Sequence, residues 1–234
     1  MHRWQKEDWI NKSANSSEQL LWRAVEAQHL NATMRLVDTL DEQFLLEQML
    51  EANKPPLPPT AVGHHYLLST PFRYASPYPS RFRAAHEPGV WYGAFDRQTA
   101  CTEVGYWRWR FFMDSASLNT GELQTEHSLF QAKVAGQCID LNSTPWHQLA
   151  HQWQDRNSYI QCQTLATDCR QHPIDWIAYT SSRQPQGRCA AVLAPQALKM
   201  HKTLNIETWH CRITQSSVIF RHFKEGFSFD PLQR

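Results

Sequence analysis

The chain is short of net charge. Its 234 residues carry 23 Lys and Arg against 22 Asp and Glu, a formal +1. That balance excludes a general attraction to nucleic acid or to an anionic membrane, so any anion site has to be local. No apolar run approaches a membrane span, and the opening MHRWQKEDWI has no signal-peptide core. Six cysteines, at positions 101, 138, 162, 169, 189 and 211, make no CxxC pair. Free thiols in a reducing cytoplasm are the expected state, and the location expected is cytoplasmic. Twelve histidines include His64 and His65 but no HExxH or similar spacing, so no metal is expected. A GxSxG elbow is also missing, which speaks against a serine hydrolase. There is no internal repeat.

What is present suits a folded domain. At 41% hydrophobic and 12% aromatic, the chain can bury a substantial core. Residues 17–53 read as helical, with Leu36, Leu40, Phe44 or Leu45, and Met49 recurring at three- and four-residue steps. Lys54-Pro55-Pro56-Leu57-Pro58-Pro59 then breaks the helix. The expected division is a helical extension with a proline-rich spacer over 1–60 and the main domain over 61–234. In that domain, strands are expected at His65–Ser69, Val90–Tyr92, Leu129–Val134, Cys138–Leu141, Ile174–Tyr179, Cys189–Leu193, Thr208–Ile213 and Ser217–His222. Helices are expected at Thr99–Phe112, with Asp96 as N-cap, at Pro145–Gln152 and at Arg156–Gln171. Strands scattered among few helices, with no βαβ rhythm, give an α+β class with a compact mixed sheet.

The run from Pro71 to Val104 concentrates arginines, aromatics and one carboxylate between apolar segments. Cationic, ring-rich loops usually bind something. Arg73 with Tyr74, Arg81, Tyr92 and Glu103 stand out, the last three at equal steps of eleven residues. On the expected helix, Ala100, Val104, Trp107 and Phe111 share a face, and Glu103 lies at its edge. A carboxylate there is either salt-bridged to an arginine for structural reasons or used in chemistry. The WRWRFF end of this helix reads as core tryptophans with solvated arginines, not as a nucleic-acid stacking surface.

These elements in order, PFRY (Arg73), SRF (Arg81), GVWYGA (Tyr92), TACTE (Glu103) and YTSSR (Ser181), resemble the RES domain family over about Tyr66 to Pro195. Some features depart from the family pattern. The segment between the first two arginines is short, Pro79 and Ser80 replace the usual glycines, and Arg188-Cys189 stands where many members carry asparagine.

The resemblance implies a core like that of ADP-ribosyltransferases and an enzyme that degrades NAD at the nicotinamide–ribose bond. It implies catalytic roles for Glu103, Arg73, Tyr92 and Ser181, and substrate contacts from Arg81, Tyr74 and Arg83. Each role suits the chemistry. Guanidinium forks bind pyrophosphate, a carboxylate steadies a sugar cation, and an aromatic face suits the cationic nicotinamide ring. No cofactor is implied, since NAD is substrate. The acceptor is inorganic phosphate or water, and Arg83 and His86 add basic groups that suit phosphate. The resemblance further implies a toxin role, an Xre-type antitoxin partner and homo-oligomers or a toxin–antitoxin complex. Direct nucleic-acid and membrane contacts are not expected. The rival readings are a mono-ADP-ribosyltransferase acting on a protein and a catalytically silent protein that keeps the fold for binding.

Overall fold

Leu21 and Trp22 are adjacent in sequence and both buried, yet they belong to two separate apolar clusters. Adjacent side chains reach opposite cores when the backbone is an extended strand covered on both faces. In the computed structural model, which describes residues 2–27, 31–34, 36–117, 120–199 and 204–233, that strand is β1 (Asn15–Glu26). It runs antiparallel to β3 (Leu123–Asp140) over twelve residue pairs, from Asn15 opposite Cys138 to Glu26 opposite His127.

The other strands are β2 (Trp91–Ala94), β4 (Trp176–Thr180), β5 (Arg188–Val192), β6 (Leu204–Ile213), β7 (Val218–His222) and β8 (Glu225–Phe229). Their order in the sheet is β1-β2-β5-β4-β3-β6-β7-β8, with β3–β4 parallel and the other neighbours antiparallel. Because β1 pairs with both β2 and β3, strands β1, β2, β5, β4 and β3 form a closed ring of pairings. β3 is the hub, touching β1, β4 and β6. The class is α+β, as the sequence indicated.

The helices are α1 (Arg3–Lys6), α2 (Trp9–Ser13), α3 (Asn31–Met34), α4 (Leu40–Ala52), α5 (Tyr66–Arg73), α6 (Arg97–Asp114), α7 (Ala150–Trp153) and α8 (Ile160–Arg170). The N-terminal pair is pinned to the body by its tryptophans. Trp4 donates to Asp168 at 2.9 Å, and Trp9 meets Trp146 edge-on at 5.4 Å. The longest helix, α6, crosses the sheet closely at Gly105. A Cβ there would come within 2.7 Å of the Phe220 ring and 3.0 Å of Val218, so glycine permits the approach.

Several local expectations are corrected. Residues 15–26 are strand and not helix: their Glu, Gln, Leu and Ala content favours helix, but pairing with β3 overrides propensity. Only α4 and the short α3 remain of the helix expected over 17–53, and residues 28–30 and 35 of that span lie outside the described residues. The strand expected at 65–69 is the start of α5, whose His65 ring caps the Leu67 N–H and whose Leu68 and Phe72 are buried. The two strands expected between 129 and 141 are one continuous β3, and β8 is a further strand beyond those expected.

Candidate active site

Helix α6 is set by its first turn. Asp96 accepts from the Thr99 N–H and from the Thr99 hydroxyl, both at 2.7 Å, the N-cap that its sequence called for. Its buried side is Cys101, Gly105, Trp109 and Phe112, locked by the Trp109 indole donating to the Gln215 carbonyl at 2.9 Å. The stripe Ala100, Glu103, Val104 and Trp107 is therefore turned toward a cavity of about 430 Å³. This corrects the expected core face: Trp107 is 52% and Phe111 53% exposed.

Glu103 lies in the cavity wall beside the loop that follows β4. The Ser181 hydroxyl donates to Glu103 Oε1 at 2.5 Å. Ser181 Oγ in turn accepts from the backbone N–H of Arg183 at 3.1 Å and of Gln184 at 2.9 Å. With its acceptor sites taken, its single proton is directed to the carboxylate. The loop is held against α6 by Gly187, where a Cβ would sit 2.6 Å from the Thr99 hydroxyl. Cys189 adds a weaker contact, its Sγ 3.9 Å from the same Glu103 oxygen. Burial, and then the Glu103 charge, push the Cys189 thiol well above its usual range. It is a neutral donor here, not a thiolate nucleophile. Among the described residues, Glu103 Oε2 has no hydrogen-bond partner, and the second oxygen is left for a ligand.

The cavity is cationic and aromatic around this acid. Arg81 donates through Nη1 to the carbonyls of Trp153 at 2.9 Å and Asp155 at 2.8 Å, with its guanidinium 4.5 Å over the Tyr159 ring. Arg183 stacks 3.8 Å over Tyr106. Arg23, from β1, donates to the Tyr92 carbonyl at 3.0 Å and lies 5.3 Å over Trp91. Burial lowers its pKa to about 10, which leaves it cationic at neutral pH. All three arginines line the cavity with Glu103.

The residues singled out from sequence divide into two groups. Glu103, Arg81 and Tyr92 share the cavity, and Ser181 is bonded to Glu103. The Tyr92 hydroxyl is engaged with the Ser80 hydroxyl at 2.8 Å and accepts from the Phe82 N–H at 2.9 Å. It fixes the loop that carries Arg81, and burial raises its pKa. Arg73 is not brought to this cavity. It ends α5 and pairs with Glu51 of α4 at 3.3 Å. Tyr74 and Arg83 line a neighbouring cavity of about 410 Å³. There Arg83 donates to the carbonyls of Ser76, at 2.8 Å, and Tyr78, so it shapes the loop. Among the described residues, no three His, Cys, Asp or Glu side chains converge as a metal site. Nor is any described helix long and apolar enough to cross a membrane.

The RES domain model matches residues 57–214, about two-thirds of the chain. The chain belongs to the RES domain family. No curated protein matches it. A chain in the crystal structure of the M. tuberculosis MbcT–MbcA toxin–antitoxin complex is similar at a TM-score of 0.48 and 12% identity, covering 97% of this chain and 92% of that one.

Arg23 precedes the matched RES segment, yet β1 brings it into the same cavity. The sequence carried a signal for it: Leu20-Leu21-Trp22-Arg23 is also an apolar run ending in arginine. Arg183 closes the YTSSR run that pointed to Ser181, and Tyr159 stands at the start of α8 in no such run.

Proposed function

We propose that this RES-domain protein is a toxin that degrades NAD by cleaving the nicotinamide–ribose bond, with phosphate or water as acceptor. The observation that carries the reading is a carboxylate with one oxygen tied down by Ser181, facing a cavity lined by Arg23, Arg81 and Arg183. In that reading, the arginines hold the pyrophosphate. The aromatic wall of Tyr92, Trp107 and Tyr159 takes the flat pyridinium ring.

When the C1′–N bond breaks, its electron pair passes to the ring nitrogen and nicotinamide leaves neutral. Positive charge then develops on the ribose, where Glu103 Oε2 stabilises it electrostatically. Ser181 acts on the other oxygen, fixing the carboxylate before reaction so that little reorganisation is needed. An oxygen of water or phosphate adds to C1′, and the water proton, where water is the acceptor, passes to solvent. The products are nicotinamide with ADP-ribose or its 1-phosphate. An Xre-type antitoxin would restrain such an activity by covering the cavity.

The test is incubation of the purified protein with NAD, without a protein acceptor, in buffers with and without phosphate. Release of free nicotinamide together with free ADP-ribose or its phosphate is expected, and the phosphate dependence assigns the acceptor. Intact NAD under both conditions would remove the degradative reading. In a parallel incubation with a protein acceptor added, ADP-ribose found only on that protein would favour a protein-modifying transferase.

A further inference from the structure

Among the described residues, β8 alone has a single strand neighbour, because the other end of the sheet closes through β1, β2 and β3. That neighbour is β7, joined through the turn Phe223-Lys224, with His222 facing Glu225, Phe220 facing Phe227 and Val218 facing Phe229. The pair that closes a two-residue turn is hydrogen-bonded, and bonded and non-bonded pairs then alternate. Glu225, Phe227 and Phe229 therefore bond to β7, while the exposed Gly226 and Ser228 turn their N–H and carbonyl groups to the open edge. A bare edge of this kind is a template for a further strand. The hairpin tip is costly as well. Phe223 sits at φ 47, in the left-handed region that bulky residues rarely occupy, and is 85% exposed.

This edge is complementary to itself. When two copies pair antiparallel about a two-fold axis at Phe227, Gly226 of each lies opposite Ser228 of the other, and their outward groups bond. The same register sets Lys224 opposite Asp230 of the second copy. Phe227 and Phe229 pack toward the core, so residues 224, 226, 228 and 230 show their side chains on the outer face. Lys224 and Asp230 are then opposite charges directly across the ladder. Asp230 is held for this by accepting from the Leu232 N–H at 2.9 Å and the Gln233 side chain at 3.0 Å. A slip of two residues would face Lys224 with Ser228 or with Leu232 and leave the charges unmatched. The tip with Phe223 also comes beside the Pro231–Gln233 turn of the second copy, where Leu232 is 69% exposed. We propose that the chain forms a two-fold dimer through β8 paired with β8 in this register. Each copy has one such edge, so assembly closes at two. No residue of β7 or β8 lines either cavity, so both stay open in the dimer, and the pairing is independent of the NAD reading.

Sedimentation velocity of the full chain tests it, from about 1 to 100 µM, a range that covers the weak association expected of a small interface. Wild type should pass from monomer to dimer and go no further. Ser228→Pro removes an N–H that faces away from β7 and sets a ring on the open edge, so it should stay monomeric over the same range. Lys224→Glu places like charges across the ladder at both ends and should raise the dimer dissociation constant about tenfold, whereas Lys224→Arg should leave it unchanged. Melting curves check that each variant is folded. Lys224 is exposed in the turn, so its variants decide the matter even where the proline disturbs the strand. A wild type that is monomeric at every concentration would overturn the dimer and leave the edge to a strand of another protein. A dimer that persists in folded Ser228→Pro, or that Lys224→Glu does not weaken, would overturn the pairing of β8 in this register.

Discussion

Strand β1 and helix α4 have kindred sequences, SEQLLWRAVE and DEQFLLEQMLEA, and opposite fates. β1 puts Leu21 and Trp22 into two cores and Arg23 into the cavity. α4 buries none of its residues and leaves Leu40 79% exposed. Local signals decide only the second case: Thr39 and Glu42 form a capping box that starts α4, and nothing in the described fold competes with it. In β1 the twelve-pair ladder to β3 outweighs the same helix-forming residues. Proximity to the proline-rich spacer is therefore no guide to what belongs to the working body of the protein.

The sharpest way to break this contrast is by truncating core and surface leucines. Leu21→Ala should cost about 2–5 kcal/mol of unfolding free energy, as expected for a fully buried leucine. Leu45→Ala, at a side chain 57% exposed, should change it by no more than about 0.5 kcal/mol. Denaturant unfolding with each variant reads both. Equal losses would mean that α4 is as much part of the core as β1.

The β1–β3 ladder should also be sensitive to acid. His127 of β3, opposite Glu26, is buried, and burial together with the nearby Arg108 cation lowers its pKa from 6.5 to about 4. The folded state thus favours the neutral ring. Its contribution is complete above pH 6.5 and is lost as pH falls through about 4. A shift of this size corresponds to roughly 3 kcal/mol. His127→Gln should lose correspondingly less stability than wild type between those pH values, and parallel stability curves would contradict the assignment.

Two arginines give a smaller and more specific contrast. Arg23→Ala should raise KM for NAD about tenfold or more, because it removes a charge-assisted contact to the substrate. Arg73→Ala, which breaks only a pair with the exposed Glu51, should alter KM by about twofold at most. Steady-state kinetics with both variants reads the difference. The reverse ranking would return Arg73 to the site.

The site was legible where its signals are local. The Asp96 cap set α6, and Glu103, Arg81 and Tyr92 converge as their shared motif suggested. The apolar stripe at 100, 104 and 107 was visible too, but a cavity wall and a core face have the same helical period. What turned the helix was Gly105 against β7, a contact between residues more than a hundred positions apart. Arg23 was hidden for the same reason, since it reaches the cavity only through the pairing of β1 with the sheet. Arg73 drew attention because PFRY repeats the pattern of an apolar run ending in arginine, which Leu20 to Arg23 also satisfies.

The most direct test is the turnover of NAD by Glu103→Gln, a near-isosteric change that removes the charge but can still accept from Ser181. With wild-type protein releasing nicotinamide, the variant should bind NAD with similar affinity and lose about 10²–10⁴-fold in kcat. Undiminished kcat in a folded variant would contradict the assignment of the acid that steadies the ribose as nicotinamide departs.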